Sequence, residues 1–178
     1  MEDTRNVVDK YKGWEHDKIV ADLDKSRLKL HVAVENLVHD FNIGTVIRNA
    51  NAFNVAGMHV IGRKHYNRRG AMCTDKYLKM YHWASVGEFV EFCRGEGLVI
   101  FAIDNVSGAE ELSKVELPEK VVFVYGGERG GVSAEMIEAS EKVVAVEQLG
   151  STRSVNVGVA SGITMYEYVR RHALRKPL

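Results

Sequence analysis

Two glycine loops in the second half of the chain restrict its fold more than any other feature. Gly126-Gly127-Glu128-Arg129-Gly130-Gly131 follows the apolar run 121–125. Gly150-Ser151-Thr152-Arg153-Ser154-Val155-Asn156-Val157-Gly158 follows the apolar run 143–146. Each loop opens a helical pattern. A strand, a small-residue turn and a helix, repeated in succession, set two loops side by side at one edge of a sheet. That edge is where open α/β sheets bind ligands.

The remaining pattern agrees with such a sheet. Residues 3–27 read as a charged helical stretch, and 30–35 alternate as a strand does. Residues 43–54 have helical spacing, with Ile43, Val46, Ile47, Ala50 and Phe53 on one face. A short strand is expected over 58–61, and a helix capped by Ser85 over 85–95. Apolar strands follow over 98–103 and 121–125. Next come a helix over 133–140 capped by Ser133, a strand over 143–146 and a last helix over 155–171. Strands alternate with helices, and the later strands are apolar on both faces. This predicts an α/β fold, a mostly parallel sheet flanked by helices.

The loops also restrict the ligand. Val132-Ser133 stands where a phosphate loop needs Lys then Ser or Thr, and Glu128 stands where the dinucleotide fingerprint needs glycine. With Glu128 and Glu135 nearby, a triphosphate meets net repulsion. A nucleoside-like cation such as the sulfonium of S-adenosylmethionine fits better.

Composition narrows the class. The chain has 178 residues, with 24 Lys+Arg and 24 Asp+Glu, so any RNA contact must rest on local patches or on a dimer that pools them. Cys73 and Cys93 are too few for a disulfide framework or a zinc site, and no metal is expected. No stretch reaches the ~20 apolar residues of a membrane span. Residues 1–6 lack the apolar core of a signal peptide, so a soluble, cytoplasmic protein is expected.

A third segment, Asn42-Ile43-Gly44-Thr45-Val46-Ile47-Arg48, lies on the 43–54 helix. Taken alone, Arg48 there reads as a surface arginine. Together the three segments resemble the SpoU (TrmH-type) ribose 2′-O-methyltransferases of the SPOUT superfamily. Asn42, Gly44 and Arg48 match the first family motif, and residues 123–133 with Glu128 match the second. Residues 146–150 followed by 154–160 match the third, with Glu147 in place of the usual proline and Val155 in place of the usual leucine. The resemblance spans about residues 30–172 in the family's order.

It implies a C-terminal deep trefoil knot (the SPOUT α/β knot) and a homodimer whose active site is completed across the interface. It also implies an N-terminal helical extension over 1–28 and a methyltransferase domain over 29–178. The family often adds a separate N-terminal RNA-binding domain. The short extension here points to RNA recognition over the dimer surface. The implied activity is S-adenosylmethionine-dependent methylation of a ribose 2′-hydroxyl in transfer RNA. Ribosomal RNA is the alternative substrate, and a non-catalytic RNA-binding module the alternative role. The implied catalytic set is Arg48, Asn42, Glu128, Ser154 and Asn156. The implied cofactor contacts are Ile103, Gly126, Val146, Gln148, Ser154 and Val155. Glu147 adds a carboxylate that points either to solvent or to the cofactor's ammonium.

For RNA, the basic run Arg63, Lys64, Arg68 and Arg69 around Tyr66 is the leading candidate, as a source of phosphate contacts. Arg170, Arg171, Arg175 and Lys176 form a weaker patch. His31 and His59 read as packed or surface residues rather than ligands. Tyr77, Tyr81 and Trp83 read as packing or dimer contacts.

Overall fold

The computed structural model describes residues 4–35, 40–64, 70–127 and 130–174. Glu128, Arg68 and Arg69 therefore lie outside the described residues. In chain order the elements are α1 (His16–Asp24), β1 (Leu30–Glu35), α2 (Asp40–Ala52), β2 (Gly57–Ile61), β3 (Met80–Trp83) and α3 (Val86–Glu96). They continue with β4 (Val99–Ile103), β5 (Glu110–Glu111), β6 (Val121–Tyr125), α4 (Ala134–Ala139), β7 (Lys142–Ala145) and α5 (Val157–His172). The seven strands form one sheet in the order β3-β2-β1-β6-β4-β7-β5. Every pairing is parallel.

The sheet runs outward from β1 to β3, and the chain then restarts on the other side with β4. β6 enters the gap between β1 and β4, pairing Val32 with Phe123 on one side and Phe101 with Phe123 on the other. All five β6 residues are buried. Both its faces are covered, which is why the run is continuously apolar rather than alternating. One face of the sheet, with Leu30, Val32, Met58, Phe101 and Phe123, packs under α2 and α5 through Val46, Ile47, Ala50, Met165 and Tyr168. The other face, with Ala33, Ile100, Ala102, Val122 and Val124, packs under α3 and α4 through Phe89, Cys93 and Met136.

α2 and α5 touch through small and polar residues. The Asn49 amide donates to the Gly158 carbonyl and to Ser161 Oγ, both at 2.9 Å. A Cβ at Gly158 would come within 2.7 Å of Thr45 Cγ2, so glycine is what allows this approach. Beneath them, the Tyr125 hydroxyl and Thr164 Oγ1 lie 2.5 Å apart in the core.

Helix boundaries match the sequence reading within two or three residues for most elements, and Ser85 and Ser133 cap α3 and α4 as expected. The first segment differs. Instead of one helix over 3–27 there is a 3-10 turn at Asp9–Tyr11 and the nine-residue α1. Gly13 at φ +74 breaks the run, and α1 buries only Ile19, so no apolar stripe extends it. Arg27 ties this segment down instead, donating to the carbonyls of Val55 and Tyr77. Two strands appear that the sequence does not announce, β3 and the two-residue β5. They occupy the two edges of the sheet, where burial demands least of the pattern.

His31 and His59 pack together. Trp83 Nε1–H donates to His59 Nδ1 at 3.0 Å, which leaves His59 Nε2–H to donate to His31 Nδ1 at 2.8 Å. Tyr81 stacks on His59 with ring centroids 4.7 Å apart. Tyr81 and Trp83 thus serve packing within the subunit.

Candidate active site

Because all strands are parallel, the carboxyl ends of β4, β6 and β7 share one edge. They open there onto a cavity of about 640 Å³. Ile103 comes from the end of β4, Gly126 follows β6, and Val146 and Gln148 follow β7. The loop into α5 adds Ser154, Val155 and Asn156. All six cofactor contacts implied by the resemblance therefore line one cavity, together with Ser154 and Asn156 of the implied catalytic set. It sits where β4 meets β6 and β7, at the carboxyl edge of the sheet beside the point where the strand order reverses, and open sheets bind ligands at such an edge.

Local geometry explains the small residues. Gly127 and Gly131 exchange two backbone hydrogen bonds, at 3.1 and 2.8 Å, closing the first loop into a ring. A Cβ at Gly126 would overlap the Gly131 carbonyl group, whereas one at Gly130 would meet nothing within 4 Å. Asn156 caps α5, its side chain accepting from Gly158 N–H at 2.9 Å. Its Nδ2 donates to Asn42 Oδ1 at 3.0 Å, joining the segment that carries Arg48 to the cavity wall. Gly44 lies one turn along α2, where a Cβ would come within 2.5 Å of the Gly70 carbonyl carbon.

Arg48 does not line the cavity. Its side chain is exposed on α2, on the same helical face as exposed Thr45 and Ala52. Beside it α5 exposes Val159 at 53%, Ile163 at 40% and Tyr166 at 52%. Arg63 and Lys64 are exposed just past the end of β2 and also stand outside the cavity wall.

Glu147 turns away from the cavity. Its Oε1 accepts from Ser113 N–H at 2.8 Å, and it lines a second groove of about 520 Å³ beside Ile163, Tyr166 and Arg170. Among the described residues, the carboxylate that lines the cavity is Asp104 and the guanidinium is Arg153. Neither stands out in the sequence. The available signal for Asp104 is its place directly after the apolar strand that ends at Ile103.

The chemistry of the wall suits a small zwitterion better than a polyphosphate. It combines apolar Ile103, Val146 and Val155 with one described carboxylate and one described guanidinium. Gln148 Oε1 is buried and has no hydrogen-bond partner among the described residues, so the site holds an acceptor that a ligand donor can satisfy. Among the described residues there is no group of three side chains placed to hold a metal, and no helix long and apolar enough to cross a membrane.

Comparison with known proteins gives the fold and the family. The tRNA (guanosine(18)-2′-O)-methyltransferase of Escherichia coli K12 is 23% identical over 145 residues, covering 80% of this chain. The chain spans only 63% of that relative's length. The crystal structure of the A. aeolicus TrmH/SpoU tRNA modifying enzyme superposes with a TM-score of 0.80 at 23% identity, covering 90% of this chain and 83% of that one. An AdoMet-bound rRNA methyltransferase from Sinorhizobium meliloti superposes with a TM-score of 0.74 at 21% identity, covering 84% of this chain and 60% of that one. The model of the SpoU rRNA Methylase family matches residues 29–166, and the chain belongs to that family.

Proposed function

We propose that this protein methylates a ribose 2′-hydroxyl of transfer RNA, using S-adenosylmethionine bound in the cavity at the carboxyl ends of β4, β6 and β7. One observation carries the reading. Three stretches far apart in sequence meet at this cavity, and the Asn42–Asn156 hydrogen bond joins the segment bearing Arg48 to its wall. The names of the E. coli and A. aeolicus relatives favour transfer RNA as substrate.

The bound cofactor supplies an activated methyl group on a cationic sulfur. The chain's own residues do the rest. Ile103, Val146 and Val155 give the apolar walls, Gly126 lets backbone approach the ligand, and Gln148 Oε1 accepts a hydrogen bond from it. Ser154 and Asn156 hold cofactor and nucleophile by hydrogen bonds. Glu128, which lies outside the described residues, is assigned to the same catalytic set. Arg48 is not assigned the role of base, because an arginine guanidinium stays protonated in proteins. It grips an RNA phosphate and polarises the hydroxyl, with Asn42 orienting the helix turn that carries it. Holding the hydroxyl in line with the methyl group can supply as much as about 7–11 kcal/mol of the barrier reduction.

The exposed face of α2 and α5 supports a homodimer. Val159, Ile163 and Tyr166 form an apolar stripe at helical spacing on α5, and Arg48 is exposed on α2, which packs against α5. A second copy seated there brings Arg48 to a cofactor site and covers the stripe. The 1–28 segment is then an extension on a 29–178 domain whose C-terminal part forms the trefoil knot. Arg63, Lys64, Arg68 and Arg69 supply phosphate contacts to the RNA.

Transfer of a labelled methyl group to unmodified transfer RNA tests the reading. The Arg48→Ala variant is expected to lose transfer by about 100-fold or more. It keeps the S-adenosylhomocysteine affinity of the parent chain in calorimetry. Equal loss of binding and transfer removes the role assigned to Arg48. Transfer to ribosomal but not transfer RNA replaces the substrate.

A further inference from the structure

Two carboxylates grip the first glycine loop from opposite sides. Glu35 ends β1 and Asp104 follows β4, and these two strands flank β6. Asp104 Oδ2 accepts from Val132 N–H at 2.8 Å, and Glu35 Oε2 accepts from Ser133 N–H at 2.8 Å. Consecutive backbone amides at the exit of the loop are thus held by side chains from both neighbouring strands. Asp104 Oδ1 accepts from Asn105 N–H at 2.7 Å, which fixes the rotation of the carboxylate. The fit is close: Gly131 sits at φ +66, and a Cβ there would overlap Asp104 Oδ2. The loop so held contributes Gly126, Gly127, Gly130 and Gly131 to the cavity wall, and Asp104 itself lines the cavity.

A glycine-rich loop has much conformational freedom to lose and few side chains to anchor it. Hydrogen bonds from amides to ionised acceptors are stronger than neutral ones and can offset that loss. A ligand bound by loop backbone binds more tightly when the loop is already set. We propose that Asp104 and Glu35 are positioning residues, an acidic clasp that presets the described part of the first glycine loop, residues 126–127 and 130–133, for the cofactor. The ligand's identity rests on the methyltransferase reading; the clasp's hold on the loop does not.

The test is calorimetry with S-adenosylhomocysteine and steady-state transfer with S-adenosylmethionine on the whole chain. Asp104→Ala and Glu35→Ala each weaken binding and raise the cofactor KM by roughly tenfold. kcat stays near that of the parent at saturation, because bound cofactor recloses the loop. Conservative variants separate clasp from scaffold even if the alanine variants fold poorly. Asp104 uses both oxygens as acceptors, so Asp104→Asn cannot serve both amides and weakens binding. The Glu35 bond to Ser133 needs one oxygen, so Glu35→Gln restores most of the affinity lost in Glu35→Ala. Unchanged affinity in the alanine variants, equal effects of the two amide variants, or a fall in kcat at constant KM overturns the clasp. A parent chain that takes up no S-adenosylhomocysteine overturns the cofactor assignment instead. The clasp is then read from hydrogen exchange at Val132 and Ser133. Exchange is faster in the alanine variants if the clasp holds the loop, and unchanged if it does not.

Discussion

At Gly126 there is no room for even a methyl group, and four residues on, at Gly130, there is open space. Gly126→Ala is therefore expected to displace the Gly131 carbonyl and weaken S-adenosylhomocysteine binding by more than tenfold, while Gly130→Ala binds like the parent. A titration calorimeter separates the two, and equal effects count against the close approach. The imidazoles carry a different expectation. Burial drives His59 down to about 3, helped by His31, and burial drives His31 to about 4, helped by Lys79. Both fall below the ordinary value of 6.5, so the unfolded chain binds more protons than the folded one below that pH. Stability is intact above pH 6.5 and lost as pH falls toward 4 and 3. The slope for one such group is about 1.4 kcal/mol per pH unit. The thermal midpoint should drop between pH 7 and pH 5, and His59→Phe should flatten that drop. At this scale the sequence is uneven evidence. Gly126 and Asn156 lie in motifs whose spacing announces them. Asp104 does not, because its partner Val132 is 28 residues away and a lone carboxylate after a strand reads as a solvent-facing turn.

The pair α2 and α5 depends on one amide. Asn49 donates twice across the helix contact, and Asn49→Ala leaves Gly158 and Ser161 to rearrange. We expect a loss of about 1–3 kcal/mol in chemical denaturation, with the unfolding slope unchanged. The elements themselves were legible in proportion to their burial. β6, covered on both faces, reads as five apolar residues in a row, and α3 carries both a serine cap and an inward stripe. β3 has only half-buried or exposed residues, and its Met-Tyr-His-Trp run shows no alternation of polarity. β5 is two glutamates whose pairing is set by the neighbouring β7 and not by their own chemistry. Because Val155 is apolar, the sequence pattern places the start of α5 two residues before its true start at Val157. The cap at Asn156 decides it, since its side chain occupies the Gly158 amide before helical bonding begins.

Among the described residues, α5, which packs on the helix that carries Arg48, exposes Val159, Ile163 and Tyr166. If two copies meet there as proposed, Tyr166→Arg should convert the protein to a monomer in analytical ultracentrifugation. Methyl transfer should fall while the subunit stays folded. A parent chain that sediments as a monomer at assay concentration rejects the paired active site. The motif order announced an α/β sheet with loops at one edge. Which strand stands at the centre was not legible, because pairing between residues almost a hundred positions apart leaves no local signature. That central placement has a consequence for biosynthesis. β6 is the sixth strand made, yet it is the keystone between β1 and β4. A ribosome that has released residues 1–120 holds the paired strands β1, β2 and β3, while β4 and β5 still lack their partners β6 and β7. The nascent chain therefore stays open to chaperones and proteases until its last third emerges, and cooperative closure comes as a late event in translation.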